Sequence, residues 1–283
     1  MGIVNVTPDS FSGDGIMRNR RDWVRASVEA AMRMENDGAD IVDVGGESTR
    51  PSSVYPDARP VPADEELERV LPVIQGIRAR CDLPISIDTR KAEVADVALA
   101  EGADMANDVS MLSDPDMVRV VAKRGVPIVI SHIRDRARYE DVVEEIGDEL
   151  TGAVLSAEDG GVDRSKIVAD PGIGFAKNAS HSLEALRGLN VIKSRLGGLP
   201  MLVGESRKSF IGAILDAGPE DRVEGNAAST ALAIAAGADI IRVHEVREMA
   251  RVAKVADAIV RGWEFANSRS TSDGARRAVE REI

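Results

Sequence analysis

The sequence predicts an α/β protein folded as a closed (β/α)8 barrel of the TIM type. Three observations predict it. Eight short apolar runs each end on a polar or charged residue, helical patterns lie between them, and the chain is 283 residues long. That length is close to the ~250 residues typical of such barrels, and the regular alternation suits a barrel better than an open, doubly wound sheet. Active sites of these barrels lie at the C-terminal ends of the strands, so the polar run ends are where chemistry is expected.

The first run, Gly2 to Asn5, leads into a long loop with breakers at Pro8, Gly13 and Gly15 and carboxylates at Asp9 and Asp14. Its length favours a functional lid over a simple turn. A helical pattern from Asp22 to Asp37 precedes the second run, which ends at Asp43. The loop after it, Gly45 to Ser52, pairs two glycines with Thr49 and Arg50, donors suited to a phosphate or carboxylate. Helical spacing from Glu65 to Arg80, Lys91 to Glu101 and Asp114 to Arg124 then separates runs ending at Asp88 and at Asn107-Asp108. The fifth run ends at His132 and is followed by a helix from Glu140 to Glu158; the sixth ends at Asp170. The seventh run extends to Ser206, where Arg207, Lys208 and Ser209 turn into a helix whose N–H groups suit an anion. In the eighth, alternation puts Arg242 and His244 on one face.

This rhythm continues from Gly2 to Trp263, which predicts one barrel domain over residues 1–265 and a polar, mobile tail over residues 266–283. Hydrophobic residues make up 43% of the chain, enough for one large core, and no apolar run approaches the roughly 20 residues that span a bilayer. The opening strand shows no signal-peptide pattern, and the one cysteine, Cys81, permits no internal disulfide, so a cytoplasmic protein is expected. A net charge of −12 opposes nonspecific nucleic-acid binding, which draws on Lys and Arg.

Asp88, Asn107 and Asp170 bring three acceptors to the barrel mouth, implying a donor-rich ligand, a metal, or neutralisation by Lys208. Two Asp and one Asn without a His pair make a poor transition-metal set. The adjacent N–H and NH2 donors of a pterin or guanine fit better, because a carboxylate such as Asp170 accepts both. Phe175, in the Asp170 to Lys177 segment, supplies a ring-packing wall in a chain with only four Phe. Asn5, Arg50, Arg242 and His244 together suggest a polyanion pocket. Lys208-Ser209 lacks the glycine spacing of a P-loop. His181 and Cys81 read as structural, while His132 is equally a site residue or a satisfied strand-end histidine.

These motifs converge: Asn5 to Ser12, Gly45 to Pro51, Ser86 to Thr89, Asn107 to Ser110, Asp170 to Lys177, Ser206 to Phe210 and Arg242 to His244. The chain resembles the dihydropteroate synthase family from Gly2 to about Val260. The resemblance implies that p-aminobenzoate displaces pyrophosphate from 6-hydroxymethyl-7,8-dihydropterin pyrophosphate, with C–O cleavage preceding attack. It implies pterin binding by Asp88, Asn107, Asp170, Lys208 and Phe175, and pyrophosphate binding by Asn5, Thr49, Arg50, Arg242 and His244, with Mg2+ at Asn5. For p-aminobenzoate it implies Thr49, Arg50, Pro51, Phe175, Lys208 and Ser209; for catalysis, Asp14, Lys208, Arg242 and His244; for assembly, a homodimer. It also implies sulfonamide competition.

The chain departs from the family pattern in three places. Asp14 stands one residue later than the usual loop carboxylate, Ser131 replaces the usual Met before His132, and the connection from Ile133 to Tyr139 is short. Two rival readings are a corrinoid methyltransferase's pterin-binding barrel and a non-catalytic paralogue. Arg50, the Ser206-Arg207-Lys208 motif and Arg242 with His244 speak against the first, which needs no pyrophosphate pocket.

Overall fold

The computed structural model describes residues 1–7, 15–16, 22–48 and 60–263. Each apolar run becomes a strand: β1 (Gly2–Asn5), β2 (Val42–Gly45), β3 (Ile85–Asp88), β4 (Met105–Asp108), β5 (Ile128–Ser131), β6 (Ile167–Asp170), β7 (Leu202–Val203) and β8 (Ile240–Ile241). The intervening helices are α1 (Trp23–Asn36), α2 (Ala63–Arg78), α3 (Ala92–Ala100), α4 (Asp116–Arg124) and α5 (Val142–Asp159). Then come α6 (Ala179–Arg187), α7 (Leu189–Arg195), α8 (Ser209–Leu215), α9 (Val223–Ala235) and α10 (Val246–Val260).

Strands β1 to β6 pair in chain order, all parallel, and β7 pairs with β8. Two isolated parallel bridges, Ala169 with Met201 and Gly2 with Val243, join that pair to both edges of the six-stranded sheet. The Ala169 N–H donates to the Pro200 carbonyl at 2.9 Å and the Val243 N–H to the Met1 carbonyl at 3.0 Å. The eight strands therefore run in a ring, the barrel that the alternation predicted.

Strand parity divides the residues between two interiors. Val42, Val44, Ile85, Ile87, Ala106, Ile128, Ile130, Ile167 and Ala169 face outward into the main core with helix residues such as Val70, Ile74, Ile146 and Leu150. Each large aliphatic side chain so buried contributes about 1.5–3 kcal/mol. The alternate residues face inward: Met1, Met105, Val129, Val168 and Leu202, packed with Ile41 and Ile240, fill the lower barrel. Above this plug, toward the strand C-termini, the inward positions become Asp43, Asp88, Asn107, Ser131 and Asp170.

Local signals set the helix limits. Asp141 starts α5 by accepting from the Val143 and Glu144 N–H groups, and α4 stops at Gly125, left-handed at φ 62°. The seventh run is shorter than the sequence suggested: β7 ends at Val203, and Ser206 lies in the following turn, where Arg207 takes φ 58°. β8 likewise ends at Ile241, though the Arg242 N–H still donates to the Val203 carbonyl at 2.9 Å. Among the described residues no helix is long and apolar enough to cross a membrane. The tail beyond Trp263 lies outside the described residues.

Candidate active site

The polar layer above the apolar plug is tied together by Arg242. Its Nε donates to Asp43 Oδ2 and its Nη2 to Asp88 Oδ2, each at 2.6 Å. Asp43 Oδ2 also accepts from Asn107 Nδ2 at 3.1 Å. Asp170 accepts from Ser131 Oγ at 2.9 Å through Oδ2 and from the Gly172 N–H at 2.8 Å through Oδ1. The expected acceptors Asp88, Asn107 and Asp170 are thus brought into one buried layer, with Asp43 and Ser131 added. Strand parity alone exposes both additions, since each shares the inward face with the expected residues.

Three buried oxygens here, Asp43 Oδ1, Asp88 Oδ1 and Asn107 Oδ1, have no hydrogen-bond partner among the described residues. Buried acceptors without donors are costly, so such a layer favours a ligand that presents N–H groups. Burial pushes the Asp88 carboxyl up, to about 7, against the pull of Arg242. It raises Asp170 as well, opposed by the Gly172 N–H and the Ser131 hydroxyl. Burial lowers the Lys208 ammonium to about 8, and nearby Arg242 lowers it further while Asp170 and Asp88 oppose the shift.

The wall beside Asp170 is a glycine-shaped turn. Gly172 sits at φ 64°, and a Cβ there would lie 1.9 Å from the His132 carbonyl oxygen. Gly174, at φ 80°, leaves room for Lys208, whose Nζ lies 4.2 Å from the Phe175 ring centroid. Ser209, the first residue of α8, is exposed beside Lys208. Ser131, which stands where the family pattern has Met, steadies Asp170.

His244 Nδ1 lies 2.9 Å from Ser206 Oγ, and half-buried Asn5 ends β1 in register with Gly45. The Arg207 side chain is engaged by carboxylates: its Nε donates to Glu245 at 2.6 Å and its Nη1 to Glu220 at 3.2 Å. His132 is the satisfied strand-end histidine of the two readings. It is buried, with Nδ1 on Lys177 at 2.9 Å and Nε2 on Glu149 at 3.1 Å. His181, near the start of α6, packs edge-on to Tyr139, and burial raises the Cys81 thiol, consistent with their structural readings. Asp14, Thr49, Arg50 and Pro51 lie outside the described residues.

A barrel whose mouth carries this acceptor layer beside cationic side chains is a pterin-binding enzyme: the chain belongs to that family, whose model matches residues 1–244. Within the family its relatives are dihydropteroate synthases. The chain is 46% identical over 270 residues to the dihydropteroate synthase of Synechocystis, covering 92% of this chain and 90% of that protein. It is similar to a solved dihydropteroate synthase from Clostridium difficile determined in the presence of pteroic acid. There the TM-score is 0.84 at 44% identity, over 92% of this chain and 95% of the other. It is also similar to the Xanthomonas albilineans dihydropteroate synthase with 4-aminobenzoic acid, with a TM-score of 0.83 at 39% identity over 92% of each chain.

Proposed function

We propose that the protein is a dihydropteroate synthase, joining p-aminobenzoate to the methylene carbon of 6-hydroxymethyl-7,8-dihydropterin pyrophosphate with release of pyrophosphate. The observation that carries this reading is the buried layer of acceptor oxygens at Asp88 and Asn107, beside Asp170 and under Lys208. A pterin presents adjacent ring N–H and exocyclic NH2 donors, and Asp170 keeps lone pairs for them after accepting from Ser131 and Gly172. Arg242 links this grip to the anion side, because it holds Asp88 while lying just past the end of β8, two residues before His244.

The mechanism follows from charge. Asp43, Asp88 and Asp170 stabilise an electron-poor pterin as the C–O bond breaks, while Arg242, His244 and Arg50 stabilise the departing polyanion. The aniline nitrogen then attacks the methylene carbon and releases its extra proton. Such a path needs charge stabilisation more than a strong general base. The Phe175 ring and Lys208 form the p-aminobenzoate side, with Ser209 beside them.

Mg2+ is part of the proposal. Among the described residues no group of three His, Cys, Asp or Glu could hold a metal by itself. The donor set fits an ion that takes one amide oxygen from Asn5 and its other oxygens from pyrophosphate and water, the usual habit of Mg2+. When bound, the ion would stabilise negative charge on the leaving group. A homodimer is also proposed, supported by exposed Leu232 on α9 and by Val255 and Ile259, one helical turn apart on α10.

The test is incubation with the pterin pyrophosphate, p-aminobenzoate and Mg2+, following pyrophosphate and dihydropteroate. Equal release of both products is expected, with sulfonamides competing against p-aminobenzoate. Release of neither product would refute the assignment; turnover without sulfonamide competition would refute the p-aminobenzoate side at Phe175 and Lys208.

A further inference from the structure

We propose that Lys177 is a positioning residue. Through His132 and the Phe175 carbonyl it holds the β6–α6 loop so that the Phe175 ring stands against Lys208. The proposal rests on the p-aminobenzoate side assigned above.

Lys177 is 6% exposed, unusual for a lysine, and its hydrogen-bond acceptors are a ring nitrogen and a main-chain carbonyl rather than a carboxylate. Nζ reaches His132 Nδ1 at 2.9 Å and the Phe175 carbonyl at 3.2 Å, with the Tyr139 ring centroid 5.8 Å away. The Glu149 carboxylate can only accept, so the single proton of the neutral ring sits on Nε2, and Nδ1 accepts from the Lys177 amine, which keeps an N–H to donate whether or not it is charged. That proton points at Glu149 Oε2, 3.1 Å away, and Arg134 holds Glu149 from its other side at 3.0 Å and 3.1 Å. One assignment of protons satisfies the whole chain from α5 to the Phe175 carbonyl.

The groups facing Lys177 come from every neighbouring element. Asp170 ends β6, Lys208 precedes α8, Arg134 and Tyr139 belong to the β5–α5 connection, and Glu149 lies on α5. Burial lowers the Lys177 ammonium to about 7 and His132 to about 4. A well-packed apolar side chain would fill this space without a buried charge, so what the lysine adds is directional hold on a carbonyl. That hold falls where the loop is least regular, since Gly172, Gly174 and Ala176 all have positive φ. Phe175 lies between two of them, and its ring meets Lys208 Nζ at 4.2 Å.

Two measurements test this. Lys177→Met should raise KM for p-aminobenzoate about 5- to 30-fold, a part of the roughly 10- to 150-fold that one hydrogen bond to a charged group is worth, while kcat changes less than about threefold. The second measurement does not depend on activity. The chain has three histidines, so 15N-histidine labelling gives a readable spectrum, with His132 assigned by its loss in His132→Gln. The wild-type His132 should show unprotonated Nδ1 and protonated Nε2 from pH 6 to 8, and Lys177→Met should move the Nδ1 signal. A protonated Nδ1 in the wild type, an unmoved signal in the variant, or an unchanged KM would overturn the proposal. A fall in kcat at unchanged KM would also overturn it, by assigning Lys177 to the chemistry. A wild-type chain without synthase activity but with the expected His132 tautomer would refute the synthase reading and leave the Lys177–His132 contact standing.

Discussion

At the scale of single residues, burial of acidic groups is the recurring device. Asp170 has both oxygens occupied by protein donors yet keeps lone pairs for the ligand, so Asp170→Asn replaces one acceptor with a donor facing donors. A loss of about 1.5–3 kcal/mol, roughly 10- to 150-fold in kcat/KM, is expected, and unchanged steady-state kinetics would place the pterin elsewhere. Glu205 is a different case: wholly buried, it accepts from Thr230 Oγ1, its other oxygen has no partner among the described residues, and burial pushes its carboxyl up from 4.5 to about 7. The unfolded chain loses this proton near its ordinary value and the folded protein only near 7, so stability from this group declines between those limits as pH rises. Glu205→Gln should therefore stabilise at pH 8 by about 2–3 kcal/mol and have little effect at pH 4.5. Equal changes in unfolding free energy at both pH values would contradict this. The strand-end polarity of Asp88, Asn107 and Asp170 was legible in the sequence because a polar residue closing an apolar run is conspicuous. Ser131 was legible too, but not its partner Asp170, which depends on the pairing of β5 with β6.

At the scale of elements, the β6–α6 turn leaves little room for substitution. The Gly172 Cβ position is taken by the His132 carbonyl, and its backbone lies in the left-handed region. Gly172→Ala should cost about 1–3 kcal/mol through overpacking alone and should displace Phe175, which chemical denaturation and the KM for p-aminobenzoate would both register. Asp141 supplies a milder contrast: its side chain caps α5 through the Val143 and Glu144 N–H groups, so Asp141→Ala should lower stability by about 1 kcal/mol and leave KM unchanged. A changed KM would mean that α5 is coupled to the site more tightly than its cap implies. Helices α1 to α5 were legible in apolar spacing to within two residues at every end, because each buries one stripe on the barrel. The end of β7 was not, since Gly204, Glu205 and Ser206 continue the apolar rhythm on paper while the backbone has already turned toward α8. The short connection after His132 holds Arg134, which bonds to Glu145 and Glu149.

At the scale of the whole molecule, the ring of strands and its polar upper layer were legible from eight run ends, whereas the ionic partnerships across the barrel were not, because they join residues as far apart as Asp43 and Arg242. The dimer is testable on the outer surface: Ile259→Asp should yield monomers by analytical ultracentrifugation if the α9–α10 face is buried in the assembly, and an unchanged sedimentation coefficient would move the interface elsewhere. The Arg242 bridge carries a further consequence for how the protein is made. During synthesis Asp43, Asp88 and Asp170 leave the ribosome before Lys208 and Arg242, the cations that balance them. A nascent chain that has completed only β1 to β6 holds like charges in a shared interior with an open sheet edge, so it cannot settle until β7 and β8 arrive. The acidic residues of the layer thus also defer the final folding step until β7 and β8 have been made, and a chain cut short before them is left open to capture by chaperones or proteases.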